Sequence, residues 1–142
     1  MRLYSVIGPR ERPEKMYTKL IACGINNEPF TLYEGSDKHL RSFTYVGDIV
    51  DGIVSVIGKQ DLVYGAEINF GTGVAHTTQG AIEAVEHVVG KAIKIKVVRK
   101  RAGDQSSTKA NINKTKKLLN YNPKTTVFKS VSHLVYWYIG RV

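Results

Sequence analysis

The segment RSFTYVGDIVDGIVSVI, residues 41–57, is informative about fold class because a β-type pattern in it passes directly into a helical one. Aromatic and β-branched residues dominate its first six positions, as is typical of a strand. Asp48 is the expected N-cap of the helix that follows. Apolar residues then recur at helical spacing as a two-column stripe, formed by Ile49, Val50, Ile53, Val54 and Ile57. The segment therefore predicts a strand followed at once by an amphipathic helix.

The same change of hydrophobic period recurs on both sides of this segment, which indicates a mixed α/β domain. Further strands are expected over residues 2–7, 29–34, 66–70 and 93–97. Further helices are expected from about Pro13, over 78–89 with a stop at Gly90, from Asn113 to Leu119, and over 127–139. The 142 residues are thus expected to form one small α/β domain, 1–142, with short strands and about five helices.

Composition excludes several classes of protein. A single cysteine, Cys23, leaves no disulfide framework and no Cys-rich zinc site, and the four scattered histidines lack ligand spacing, so no metal site is expected. The longest apolar runs fall far short of the roughly 20 residues of a membrane span. The N-terminal apolar run is broken at Gly8-Pro9, too early for a secretory signal. A reducing cytoplasm without membrane attachment is the expectation.

Charge is distributed unevenly along the chain. The formal net charge is +9; residues 1–90 hold eight Lys and Arg against eleven Asp and Glu, whereas residues 91–142 hold thirteen against one. A basic C-terminal third favours an anionic partner, which leaves nucleic acid, a membrane surface or a phosphorylated small molecule open. The alternative is an ordinary solvated lysine-rich surface.

Familiar catalytic motifs are missing from the sequence. There is no P-loop, no G-x-G-x-x-G and no H-E-x-x-H, and no tyrosine is followed four residues later by lysine. Three arginines instead stand in loops or at strand ends: Arg12, Arg41 and Arg101. A guanidinium is a planar, permanently charged fork that binds phosphate or carboxylate at two points. If the three converge, they suit a diphosphate plus a further anion; taken singly, each is also compatible with a surface arginine.

Read in order, these segments resemble the C-terminal half of an extended short-chain dehydrogenase/reductase of the Rossmann-like superfamily. The similarity is greatest to the NAD-dependent nucleotide-sugar epimerases and dehydratases, with UDP-glucuronate 4-epimerases the nearest group. It rests on residues spread from end to end, namely RLYSVIGP (2–9), RPEKM (12–16), TLY (31–33), RSFTYVGDIV (41–50), INFG (68–71), AGD (102–104), LLNYNP (118–123) and YWY (136–138).

The resemblance implies roles for seven residues in substrate binding. Arg41 and Arg101 would clamp the diphosphate, and the backbone around Thr31 and Tyr33 would meet the uracil edge. The remaining implied contacts are Asp104 near the ribose or orienting Arg101, Ser5 facing the sugar, and Arg12 meeting the carboxylate of a uronate sugar. Ile7 replaces the common tyrosine before Gly-Pro, so the wall near the sugar is altered.

The resemblance also implies what lies outside this chain. In the family, a Rossmann half binds NAD and carries the Tyr-x-x-x-Lys pair, and this sequence contains neither. The expectation is the substrate-binding domain of an isomerase, as a truncated domain, half of a split enzyme or a degenerate relative. It would bind a UDP-sugar such as UDP-glucuronate but would not be catalytic alone and would bind no NAD alone. Its partners would be the missing Rossmann domain and, through an exposed apolar surface, further copies of itself. The alternatives are a basic anion- or nucleic-acid-binding module and a structural partner domain.

Overall fold

A computed structural model describes residues 1–140 and shows the expected mixed α/β fold, with short strands and six helices. The helices are α1 (Met16–Asn26), α2 (Val46–Val54), α3 (Gln60–Val63), α4 (Thr78–Val89), α5 (Asn113–Leu119) and α6 (Val127–Ile139). The strands are β1 (Arg2–Leu3), β2 (Val6–Ile7), β3 (Phe30–Tyr33), β4 (Leu40–Arg41), β5 (Thr44–Tyr45), β6 (Asn69–Phe70), β7 (His76–Thr77), β8 (Ile95–Val98) and β9 (Ser107–Thr108). The short α3 is the helix that the sequence pattern did not predict.

The strands pair in four small groups. The pairs β1–β6, β2–β5 and β3–β8 are parallel, and β4 lies between antiparallel β7 and parallel β9. The prediction of one strand over residues 2–7 was wrong, because its two halves have different partners: Leu3 lies opposite Phe70, whereas Ile7 lies opposite Tyr45. Residues 41–46 likewise divide between β4, β5 and the start of α2.

Helix termini agree with the sequence more closely at the C-terminal end than at the N-terminal end. α4 stops at Gly90, with φ of 74°, and α5 stops at Asn120, with φ of 55°, so both left-handed caps are as predicted. The N-cap expected at Asp48 was wrong: α2 begins at Val46, and the Asp48 carboxylate instead accepts hydrogen bonds from the backbone N–H and hydroxyl of Thr125, at 3.0 and 3.1 Å.

Two clusters of buried side chains stabilise the fold. The larger lies among α1, α4 and α6 and includes the fully buried Leu20, Val85 and Leu134. The smaller joins α2 to β6 and α5 through Ile49 and Phe70. Helix α2 approaches closely here because Gly52 has no side chain. A Cβ at this position would lie 2.6 Å from the Phe70 ring and 2.8 Å from the Tyr121 ring.

The apolar stripe of α2 faces outward except at Ile49. Exposed fractions are 50% for Val50, 37% for Ile53, 54% for Val54 and 72% for Ile57. Val50, Ile53 and Val54 lie on α2, and Ile57 lies in the turn that follows it. Together these four exposed residues form the apolar surface that we call the α2 stripe.

Within residues 1–140, no helix combines the length and the apolar character needed to cross a bilayer.

Candidate functional site

One open cavity of about 1240 Å³ is lined by all seven residues that the sequence singled out. They come from five separate segments of the chain: the β1–β2 junction, the loop before α1, strand β3, strand β4, and the loop between β8 and β9. These seven of the lining residues are Ser5, Arg12, Thr31, Tyr33, Arg41, Arg101 and Asp104. The three arginines named from the sequence therefore share one cavity.

Arg41 is held by two backbone carbonyl groups. Its Nη1 donates to the carbonyl oxygen of Leu40 at 2.9 Å, and its Nη2 donates to that of Gln105 at 2.6 Å. The second bond ties strand β4 to the loop between β8 and β9, which carries Arg101 and Asp104. Because a guanidinium has five N–H donors, these two bonds leave three for a ligand.

The loop that carries Arg101 and Asp104 is exposed along residues 99–107. Its backbone is tied to β4 where the Leu40 amide donates to the Ser106 carbonyl at 2.9 Å. Together with the Arg41–Gln105 bond, this contact sets the position of the loop beside the cavity. Arg41, at the end of β4, and Arg101, in the loop after β8, therefore line the same cavity.

A second part of the cavity lies around Ser5 and Arg12. Six residues here also line an adjoining cavity of about 540 Å³: Ser5, Val6, Arg10, Glu11, Arg12 and Lys15. We call this part the Ser5 end. Arg41, Arg101, Thr31 and Tyr33 line only the larger cavity. Nε of Arg12 pairs with the Glu14 carboxylate at 3.0 Å, and both side chains are well exposed.

Glu11 is a cavity residue that the sequence did not single out. The Thr18 backbone N–H and hydroxyl both donate to its Oε2, at 3.0 and 2.9 Å, so Glu11 holds the loop before α1 against the first turn of that helix. Burial raises the pKa of the Glu11 carboxyl, although the hydrogen bonds from Thr18 act in the opposite direction. No pattern of spacing signals a carboxylate that caps a helix from a loop seven residues before its partner.

Tyr17 is a second wall residue that sequence reasoning missed. Its ring packs edge to face on Phe43, with centroids 4.9 Å apart, and both side chains line the cavity. The Tyr17 hydroxyl is buried without a hydrogen-bond partner among the described residues. Burial, and to a lesser extent the nearby Glu11 carboxylate, raise the pKa of the Tyr17 phenol.

Comparison with known proteins agrees with the class that this fold and cavity define, the extended short-chain dehydrogenases/reductases. The family model described as GDP-mannose 4,6 dehydratase matches residues 1–134. The chain therefore belongs to this family of nucleotide-sugar epimerases and dehydratases. It is also similar to the uncharacterized UDP-glucose epimerase YtcB of Bacillus subtilis, with 34% identity over 127 residues, which cover 89% of this chain and 40% of that protein.

Solved structures show the same fold. The UDP-glucuronic acid 4-epimerase of Bacillus cereus, in complex with UDP-glucuronic acid and NAD, aligns with a TM-score of 0.92 and 26% identity, covering 99% of this chain and 45% of that one. MoeE5 in complex with UDP-glucose and NAD aligns with a TM-score of 0.90 and 26% identity, covering 99% and 46%. The chain thus spans less than half the length of these relatives.

The sequence has no glycine-rich dinucleotide loop and no tyrosine–lysine pair at four-residue spacing. The cavity walls are instead built from arginines, short strands and a proline-bounded loop. We therefore derive no step through the dinucleotide from these residues.

Proposed function

We propose that this chain is the substrate-holding part of an NAD-dependent nucleotide-sugar 4-epimerase and binds the nucleotide diphosphate of a UDP-sugar in the large cavity. The observation that carries the proposal is the convergence of seven residues, from five segments, on that cavity. The solved relatives support the ligand class, because two of them hold UDP-glucuronic acid or UDP-glucose. The ligand that we propose is therefore a UDP-hexose or a UDP-hexuronate such as UDP-glucuronate.

Arg41 on β4 and Arg101 in the β8–β9 loop would bind the diphosphate. A guanidinium offers parallel N–H donors that match phosphate oxygens, and Arg41 keeps three donors beyond its two backbone bonds. The Nη2 bond of Arg41 to the Gln105 carbonyl joins Arg41 to the loop that carries Arg101, which supports the proposal that both arginines bind one ligand. Asp104 lies in the same loop, where it would orient Arg101 or meet the ribose.

Thr31 and Tyr33 on β3 would hold the base, and the Ser5 end would hold the sugar. β3 pairs with β8, so Tyr33 at the end of β3 lies beside the start of the β8–β9 loop, which carries Arg101. In this arrangement the chain fixes the diphosphate and leaves the sugar able to turn. The residues of this chain then bind and orient the ligand, and the reacting groups come from elsewhere.

The proposed partner is the Rossmann half of the longer relatives. The α2 stripe exposes four apolar residues, and the parallel pairs β1–β6 and β2–β5 have only two strands each. Parallel sheets in proteins are normally larger and covered on both faces. An α/β unit that adds strands to these two pairs and covers α2 would both enlarge the parallel sheets and bury the exposed α2 stripe.

Isothermal titration of the chain with UDP, before and after substitution of the arginines, tests the proposal. A charged hydrogen bond contributes about 1.5–3 kcal/mol, so Arg41→Ala and Arg101→Ala should each weaken UDP binding by roughly ten- to a hundredfold. Arg99→Ala is the matched control, because it removes the same charge from the same loop at a residue that does not line the cavity. Equal losses in all three variants would reduce the effect to general charge, and no UDP binding by the wild-type chain would refute the proposal.

A further inference from the structure

Of the four histidines of the chain, all of which lie within residues 1–140, His39 alone lines the large cavity. It joins the 3₁₀ turn Ser36–Lys38 to β4, and its backbone is extended, with φ of −63° and ψ of 134°. Successive side chains of an extended chain point to opposite sides. Arg41 lines the cavity as well, whereas Leu40 between them does not, so the side chains of His39 and Arg41 lie on the cavity side of β4.

The imidazole is the part of His39 that is available to a ligand. The backbone N–H of His39 donates to the Ser36 carbonyl at 3.1 Å, and its carbonyl oxygen accepts from the Thr78 N–H at 3.0 Å. The imidazole, in contrast, forms no hydrogen bond or ion pair within the described part of the chain, and the side chain is only partly buried. His39 therefore places an uncommitted titratable side chain in the cavity wall, two residues before Arg41.

The groups on the elements next to His39 do not neutralise a protonated imidazole. The charged and titratable ones are Asp37 and Lys38 in its own turn, Tyr33 on β3, Arg41 on β4, His76 on β7, and Arg101 and Asp104 in the β8–β9 loop. Neither aspartate forms an ion pair with His39 within residues 1–140. Helix α4 contributes the uncharged Thr78 to the cavity wall, and its first carboxylate, Glu83, is exposed and accepts from Gln79 at 3.0 Å. A positive charge on His39 would therefore add to that of Arg41.

We infer that His39 is a further ligand of the nucleotide diphosphate beside Arg41, and that protonation of its imidazole strengthens binding. The inference rests on the proposed function, since it needs the diphosphate at Arg41. Histidine is the side chain that ordinarily changes charge between about pH 5 and 8, and in the protonated ring both nitrogens donate hydrogen bonds. A bound diphosphate is negative and favours the protonated ring, so binding takes up a proton and affinity rises as pH falls.

The probe for this effect is a UDP-sugar rather than UDP. In a UDP-sugar both phosphates are bonded on two sides and each keeps one negative charge, whereas the terminal phosphate of UDP takes up a proton near about pH 6. We expect the UDP-sugar to bind about tenfold more tightly at about pH 5.5 than at about pH 8.5. Glu11 lines the same cavity and burial raises the pKa of its carboxyl, so its protonation would act in the same direction and needs its own control.

Isothermal titration of the wild-type chain, His39→Gln and His39→Lys with UDP-glucose and UDP-glucuronate over this pH range tests the inference. Gln still forms hydrogen bonds but carries no charge, so His39→Gln should bind at all pH values as wild type does at the alkaline end. Lys stays charged throughout, so His39→Lys should bind at all pH values about as wild type does at the acidic end. Titration in two buffers of different ionisation enthalpy should show proton uptake on binding in wild type and little in either variant.

Glu11→Gln and His76→Gln are the control variants. The first removes the other carboxyl of the cavity whose pKa is raised, and the second removes a histidine that lies opposite Arg41 on β7 but does not line the cavity. Both should keep the tenfold change with pH.

The outcomes separate the inference from the proposed function. If a UDP-sugar binds with an affinity that does not change with pH, or if the change survives His39→Gln or is lost in either control, the inference is overturned while the proposed function stands. If neither UDP-sugar binds wild type at any pH, both are overturned. Thermal melting shows whether each variant is folded; if His39→Gln is not, a pH-independent affinity of His39→Lys supports the inference and a pH-dependent one overturns it.

Discussion

The α2 stripe makes a quantitative prediction about association. Fully burying a valine or isoleucine side chain contributes about 1.5–3 kcal/mol. The four stripe residues are 37–72% exposed, so each has about 1 kcal/mol still to gain, or about 4 kcal/mol per copy. Two copies packed stripe to stripe would gain about 8 kcal/mol, whereas association of free molecules costs about 4–15 kcal/mol. The net gain is at most about 4 kcal/mol, which corresponds to a millimolar Kd.

The stripe alone is therefore too small to hold a homodimer but large enough to seat a tethered or larger partner, for which the cost of association is lower or the buried area greater. Sedimentation velocity at about 100 µM should show a monomer, far below the millimolar Kd. Ile57→Lys should leave both the sedimentation and the free energy of unfolding unchanged within about 0.5 kcal/mol, because Ile57 is 72% exposed.

A micromolar dimer that Ile57→Lys abolishes would refute this reasoning. Val97→Lys is the control, since Val97 is 62% exposed but lies on β8, outside the stripe. A dimer abolished by neither substitution would use another surface and would also contradict the prediction of a monomer.

Three further predictions concern single side chains. Gly52→Ala should lower the free energy of unfolding, measured in urea, by about 1–2 kcal/mol, because crowding of the Phe70 and Tyr121 rings outweighs the gain in helix propensity from alanine. Gly73→Ala, whose Cβ would meet open space, should leave stability unchanged. Equal stability of the two variants would contradict the packing described. The raised pKa of Glu11 means that its carboxyl binds a proton more readily in the folded chain than in the unfolded chain, so ionised Glu11 opposes folding at pH values above its folded pKa. This cost disappears as pH falls through that pKa, so Glu11→Gln should be more stable than wild type near neutral pH, with a difference in unfolding free energy that shrinks on acidification. A difference that grows on acidification would show the sign to be wrong. Arg41→Lys keeps the positive charge but removes the guanidinium that bonds both the Leu40 and the Gln105 carbonyl groups, so trypsin should cut the 99–101 segment faster than in wild type. Arg10→Lys should leave the cleavage rate unchanged. Equal rates in wild type and both variants would mean that Arg41 does not hold the loop between β8 and β9.

The sequence predicted the fold class better than it predicted local boundaries. Left-handed caps at Gly90 and Asn120 are set by local backbone sterics, so the pattern found them. The break in the expected strand 2–7 could not be found in this way, since it comes from a change of partner from β6 to β5. The alternation of side chains along a strand can be read from the local sequence, whereas the partner of a strand depends on residues that are distant in the chain.

The same limit explains the α2 stripe and Glu11. Helical periodicity identified an apolar face, yet it carries no information about what covers that face. Glu11 directly precedes Arg12, the residue singled out for the carboxylate of a uronate sugar, and the structural role of Glu11 depends on a contact with Thr18 that only the fold creates. The resemblance to a family supplied the site residues, and the structure added their common cavity.

The affinity ratio of UDP to uridine tests the diphosphate clamp most directly, because the two ligands share the base and ribose and differ in the diphosphate. The wild-type chain should bind UDP at least about tenfold more tightly than uridine, and the Arg41→Ala/Arg101→Ala double variant should bind the two almost equally. The Arg99→Ala chain should retain the wild-type ratio. A double variant that still prefers UDP by the wild-type factor would show that these arginines do not hold the diphosphate.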